Sequence, residues 1–245
     1  MLSASWIILV GTILLVGLFG IFIFKDKKRI SKDWLSFGGA FLVSVVFLYL
    51  FPLIFGTFSP NAKYWVLGGF FMQLVLEQFT QGIEHGHVHS HERSVLFFVQ
   101  IILGLCIHSF AEGLALGGYE VLEPKGHDHS NEHVGSTMLL VGILLHHIPA
   151  VLALVLVLMS SGFSKKWLYW GVLLFSFAPY LGMITGTLIH IEQMVLEGIL
   201  AGVAGSFLHV STTILFETDD NHHLNWKGMI APLIGVILAL ISLGL

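Results

Sequence analysis

The stretch His108-Ser109-Phe110-Ala111-Glu112 sets an imidazole and a carboxylate four residues apart. On an α-helix that spacing brings both groups to one face. A second pair of imidazoles follows at His146-His147-Ile148-Pro149. Both stretches lie inside long apolar runs, where an ionisable side chain costs at least about 2.5 kcal/mol on insertion scales unless something compensates it. A histidine and a carboxylate within one helical turn can share a divalent cation, which offsets that cost and keeps Glu112 ionised. The alternative is that the histidines simply hydrogen-bond neighbouring helices. Two helices with central histidines, one of them carrying a glutamate a turn away, favour the metal. Pro149 has no N–H to donate, so the carbonyl of Leu145 should lose its helical partner. A membrane helix tolerates such a break when neighbours or water satisfy the freed group.

Other polar residues suggest accessory chemistry. Glu84-His85-Gly86-His87-Val88-His89-Ser90-His91-Glu92 forms one His-rich tract, and His127-Asp128-His129 with Glu132 and His133 forms another. Imidazole-rich tracts favour borderline transition metals, and without the spacing of a structural site they bind weakly and exchangeably. Each can equally be read as a solvated loop. Glu77 is an acid inside an apolar run; it either relays a metal or hydrogen-bonds a neighbouring helix. The single cysteine, Cys106, reads as a small apolar residue, and it offers no intrachain disulfide, CxxC motif or Cys-rich zinc site.

The elements that must position these residues follow from composition. Of 245 residues, 56% are hydrophobic and 11% charged, whereas soluble domains carry about 25% charged residues. A water-soluble fold of this size could not hide so much apolar surface. The net charge of −4 is small and gives no sign of a nucleic-acid partner. A membrane-crossing helix needs about 20 apolar residues. Eight runs qualify as candidates, roughly Ser5–Phe24, Trp34–Phe55, Tyr64–Gly82, Val95–Gly118, Ser136–Ser160, Trp167–Ile189, Met194–Phe216 and Gly228–Leu245. They lack the alternation of a β-barrel, so the expected class is an all-α membrane protein. Short connections predict one transmembrane domain over 1–245, with His-rich loops at about 83–93 and 119–135.

In the first run the basic cluster Lys25, Lys27, Lys28 and Arg29 follows the apolar segment, which predicts a retained helix and not a signal peptide. An outside amino terminus would put these four, with Lys32, Arg93, Lys165, Lys166 and Lys227, on the inner side. Only Lys63 and Lys125 would stay outside. That bias agrees with the positive-inside rule, and an even number of spans then leaves both termini outside.

The motif HSFAEGLALG resembles the fourth-helix signature of the ZIP (Zrt/Irt-like protein) family of divalent metal transporters. FFMQLVLEQFTQ, around Glu77, resembles that family's third helix, and LEGILAGVAGSFLHV, Leu196 to Val210, resembles its seventh. The resemblance implies an eight-transmembrane-helix ZIP-like bundle in the cell membrane. It implies that His108, Glu112 and His146 form a central transport site, with Ser109 and His147 where an adjacent second metal can sit. The implied activity is transport without enzymatic turnover: uptake of Zn²⁺, or of Fe²⁺, Mn²⁺ or Cd²⁺, into the cytoplasm by alternating access. The metal is then substrate and not cofactor, the partners are the ion and the bilayer, and a homodimer is left open as the assembly.

The sequence departs from the family pattern at several points. Many members carry a glutamate directly after the proline of the fifth helix, where this chain has Ala150. That change favours one central metal over a carboxylate-bridged pair and resembles the animal-type branch. Ala111 replaces a proline often found before the glutamate of the fourth helix. His209 stands where a tyrosine is common, either as an added ligand or as a packing group. Glu197 reads as an outer-side acid or an interfacial residue. Competing functions are a metal exporter, a non-transporting metal sensor, for which Ala150 is the best argument, and an intramembrane zinc hydrolase. The last would need an HExxH-like helix or a general base beside metal-bound water, and neither is evident.

Overall fold

Apolar runs of this length become helices because only a helix satisfies its own backbone within a single membrane-spanning segment. A computed structural model describes residues 2–24, 32–80, 94–122, 134–189, 191–217 and 228–243. Every regular element among them is helical: α1 (Leu2–Ile23), α2 (Lys32–Val45), a π-helical turn (Val46–Leu50), α3 (Phe51–Thr57), α4 (Ala62–Thr80), α5 (Val95–Leu122), α6 (Val134–Ser160), α7 (Lys165–Leu188), α8 (Gln193–Glu217) and α9 (Ile230–Leu243).

Six stretches among the described residues are long and apolar enough to cross a membrane: Trp6–Ile23, Asp33–Thr57, Val95–Tyr119, Thr137–Ser160, Lys165–Leu188 and Gln193–Phe216. The chain is therefore a multi-pass helical membrane protein. Six of the eight expected crossings are thus clear among the described residues. The third run forms α4, but Gln73, Glu77 and Gln78 dilute its apolar character and it is not among the six. The last run forms α9, whose 14 residues fall short of the roughly 20 that a full crossing needs. Both His-rich tracts lie outside the described residues, as do the basic cluster after α1, Arg93, Lys125 and Lys227.

The second span holds a feature that its apolar pattern does not announce. The amide of Phe51 donates to the carbonyl of Val46, five residues back, closing the π-helical turn. Pro52 accounts for it, because its ring crowds the carbonyl four residues earlier and its nitrogen donates nothing. Between α6 and α7, Gly162 takes φ +75°. Phe163 N–H donates to Leu158 O at 3.0 Å and Gly162 N–H to Met159 O at 3.1 Å, the paired closure of a Schellman motif. This tight turn makes α6 and α7 antiparallel neighbours.

The helices sort into two sets by packing. α1 lies on α6 and α7, and α5 lies along α7; α4 lies along α8, and α2 on α8 and α9. Contacts of α5 with α4 and α8, and of α2 with α6, join the sets. Glycines set the closest approaches. A side chain on Gly113 or Gly117 of α5 would collide with the Pro179 or Met183 carbonyl of α7, and one on Gly182 or Gly186 with the Phe110 or Leu114 carbonyl. Each helix thus presents a small-xxx-small stripe, which lets membrane helices pack backbone to backbone. Gly69 of α4 meets the Gly202 carbonyl of α8 in the same way.

Polarity is inverted relative to a soluble protein. Leu15, Phe19, Phe22, Leu67, Phe71 and Ile241 are exposed, while Gln73, His108, Ser109, Glu112, His146 and His147 are buried. That arrangement suits lipid outside and cation chemistry inside.

The glycine contacts make a paired prediction. Gly69→Leu should lower the melting temperature of the purified protein sharply, since overpacking alone costs about 1–3 kcal/mol and here the obstacle is backbone. Gly68→Leu should be tolerated, because a side chain there meets nothing within 4 Å. Equal melting of the two variants would contradict this packing.

Candidate metal centre

Helix α5 contributes His108, Ser109 and Glu112, and α6 contributes His146 and His147; all five are almost wholly buried. Glu112 sits at the middle. Its Oε1 lies 2.9 Å from His108 Nε2 and 2.9 Å from His146 Nε2, and its Oε2 lies 3.4 Å from His147 Nε2. One ligand atom each from His108, Glu112 and His146 falls within a mutual span of 4.8 Å. The four-residue spacing on α5 and the antiparallel neighbour α6 thus bring together all five residues singled out as central in the sequence.

Backbone contacts decide what these imidazoles can offer. His146 Nδ1 lies 2.9 Å from the Gly142 carbonyl, and His147 Nδ1 lies 2.9 Å from the Ile143 carbonyl. A carbonyl only accepts, so each Nδ1 carries the hydrogen. In the neutral ring each Nε2 then holds a lone pair. His147 Nε2 accepts from the Ser109 hydroxyl at 3.0 Å. His146 Nε2 faces Glu112 Oε1, and both atoms, with Glu112 Oε2, are buried without a hydrogen-bond partner among the described residues. Two acceptors 2.9 Å apart repel unless a cation, either a proton or a metal, lies between them.

The surroundings raise the stakes. Phe207 packs edge-on against His146 with ring centres 5.5 Å apart, and Phe175 stacks on His147 at 5.1 Å. Such apolar walls exclude water, and a buried charge without a counter-charge is expensive. Pro149, three residues beyond His146 and two beyond His147, leaves the Leu145 carbonyl without an amide donor. That carbonyl lies 3.4 Å from where a Cβ of Gly38 would stand, so α2 comes in close over the break.

The outlying candidates fall elsewhere. Glu77 and His209 are not part of the central cluster; His209 Nε2 meets Glu77 Oε2 at 2.7 Å across α4 and α8, with Phe70 edge-on to the imidazole. Of the open readings, this gives His209 a carboxylate partner and Glu77 a neighbouring helix to bind. Glu197 accepts the backbone N–H of Ser59 at 3.1 Å and the Gln193 amide at 3.0 Å, tying the loop before α4 to α8. Cys106 is a free, half-buried thiol. His85, His87, His89 and His91 lie outside the described residues.

Two residues of the centre were missed in the sequence. Ser206 of α8 stands 3.4 Å from His108 Nδ1, and its hydroxyl donates to Gln73 Oε1 of α4 at 2.9 Å. Their signal was there: both are polar residues at membrane depth, a class that calls for a partner by default.

Comparison with known proteins agrees with this chemistry. The family model for ZIP zinc transporters matches residues 84–242. Zinc transporter ZIP2 of Homo sapiens is 30% identical over 137 residues, covering 52% of this chain and 40% of that protein. Zinc transporter ZIP9 of Micropogonias undulatus is 30% identical over 171 residues, 63% of this chain and 51% of that protein. Zinc transporter ZIP9 of Xenopus tropicalis is 29% identical over 157 residues, 59% and 48% respectively. The chain spans about half the length of the curated relatives it matches.

If lone pairs oppose one another at the centre, an amide in place of the carboxylate should relieve them. Glu112→Gln, stripped of metal with chelator, should melt at or above the wild type, because its NH₂ can donate to an imidazole nitrogen. Added zinc should raise the melting temperature of the wild type and not of the variant. A chelated variant melting well below the wild type would contradict the opposition.

Proposed function

The chain belongs to the ZIP zinc transporter family, a family of transporters and not enzymes, and from that premise we propose that it carries a divalent cation across the membrane. The carrying observation is the buried Glu112 carboxylate with imidazole nitrogens of His108 and His146 each 2.9 Å away. Zn²⁺ is the cargo that donor set suits best, since imidazole and carboxylate are its ordinary nitrogen and oxygen ligands; Fe²⁺, Mn²⁺ and Cd²⁺ are the competitors. Two imidazoles and one carboxylate bind the dehydrated ion. His147 Nε2, 3.4 Å from Glu112 Oε2, and the Ser109 hydroxyl bonded to it are the donors that an adjacent second ion would use. Ala150 supplies no carboxylate to bridge a pair, which supports one ion at a time.

The proposed orientation has eight crossings, with α4 and α9 as the two beyond the six clear spans, and both termini outside the cell membrane. In that orientation α4 and α8 run inward. Glu77 follows Gln73 by one turn on α4, and His209 follows Ser206 by nearly one turn on α8. Their pair therefore lies on the inner side of the centre, on the way to the His-rich tract. Uptake would take the ion from outside to the centre, past Glu77 and His209, and out to that tract. The two packed helix sets are the natural rigid units for alternating access, because the contacts within each are backbone-close.

Zinc flux into proteoliposomes, recorded in both directions, tests this reading. The wild type should move zinc with no chemical turnover. Glu112→Ala and His108→Ala should fall to the rate of empty vesicles while still inserting and eluting as folded protein. Flux that survives both substitutions would overturn the site, and flux that runs only outward would overturn uptake.

A further inference from the structure

His108 differs from the other two histidines of the centre in what holds its Nδ1. His146 and His147 each use a carbonyl of their own helix. The Nδ1 of His108 instead faces Ser206 Oγ, 3.4 Å away on α8, and that hydroxyl gives its one hydrogen to Gln73 Oε1 on α4 at 2.9 Å. All three side chains are buried, Gln73 at 1% exposure. An amide at that depth is costly unless its polar atoms are used.

We propose that Gln73 and Ser206 are positioning residues for the central ion: Gln73 takes the Ser206 hydrogen, so that Ser206 presents only a lone pair to His108 and fixes its hydrogen on Nδ1. This rests on the metal-transport reading. A hydroxyl has a single hydrogen to place. Once that hydrogen points at Gln73, the neighbouring imidazole nitrogen must be the donor. The Nε2 of His108 is then a lone pair, aimed to the side where Glu112 Oε1 lies at 2.9 Å. Without that chain Ser206 no longer places the hydrogen on Nδ1, and a hydrogen on Nε2 would bond Glu112 directly and leave no lone pair for the ion. The chain also crosses between the helix sets, since His108 sits on α5 while Gln73 and Ser206 sit on α4 and α8. Groups that orient a metal-binding imidazole through its other nitrogen typically contribute about 10–100-fold in metal affinity.

The test compares Ser206→Ala, Ser206→Thr and Gln73→Met in two assays on purified protein: cobalt titration followed by its visible absorption, and zinc flux in proteoliposomes. Ser206→Ala should raise the cobalt Kd and the zinc KM by about 10-fold with a much smaller change in maximal rate. Ser206→Thr keeps the hydroxyl and should return both to within about threefold of the wild type, which a merely structural role for position 206 would not predict. Gln73→Met keeps Ser206 but releases its hydrogen to turn toward His108, and should weaken binding as Ser206→Ala does. Wild-type cobalt affinity in Ser206→Ala or Gln73→Met, or failure of threonine to restore it, overturns the relay. A wild type that binds cobalt but moves no zinc overturns the transport reading alone, because the cobalt titrations still judge the relay.

Discussion

A carboxylate held among imidazole lone pairs, away from water, is the constraint on which the rest of this structure depends. Bringing Glu112 and His146 to 2.9 Å is unfavourable for the bare groups, since removing a charge from water costs several kcal/mol and the nearest donor atoms are themselves electron-rich. A divalent cation reverses the sign of each of these contacts at once. In the proposed reading, the protein therefore folds around a deficit that its cargo fills. In that reading two imidazoles and one carboxylate hold the ion, with Ala150 in place of a further acid.

Holding such groups together demands rigid supports on every side. On α5, Glu112 is followed directly by Gly113, so neighbouring positions on the helix serve opposite purposes: one points to the histidine cluster and the other gives way to the α7 backbone. The stripe of Gly113 and Gly117 against Gly182 and Gly186 fixes how α5 is rotated, and with it where His108 and Glu112 point. On α6 the imidazoles are steered from behind by the Gly142 and Ile143 carbonyls, and Pro149 removes the helical bond to Leu145 that would span them. Phe175 and Phe207 close the remaining faces. His146 and His147 are steered through Nδ1 by carbonyls of their own helix, and the Ser206 hydroxyl that faces His108 Nδ1 belongs to the opposite helix set.

Much of the centre was legible because its signal is chemical and local. The four-residue gap between His108 and Glu112 states a shared helix face, and His146-His147 in another apolar run states a second helix with the same need. That His209 would meet Glu77, or that Ser206 would sit between His108 and Gln73, was not legible. Those contacts depend on how α4, α5 and α8 are rotated against one another, which a linear pattern does not encode. The helices themselves were placed to within a few residues. The span count was harder, because α4 mixes Gln73, Glu77 and Gln78 into an apolar run and α9 is short. The π-helical turn at Val46–Leu50 follows from Pro52, a cue easily passed over when apolar residues are only being counted.

The most direct test of the account is X-ray absorption at the zinc edge on purified protein in nanodiscs, loaded with one equivalent of zinc. The account predicts nitrogen and oxygen neighbours at about 2.0–2.2 Å, with the outer-shell scattering of two imidazoles that drops by half in His146→Ala. A spectrum without imidazole scattering, or one that His108→Ala and His146→Ala both leave unchanged, would contradict it.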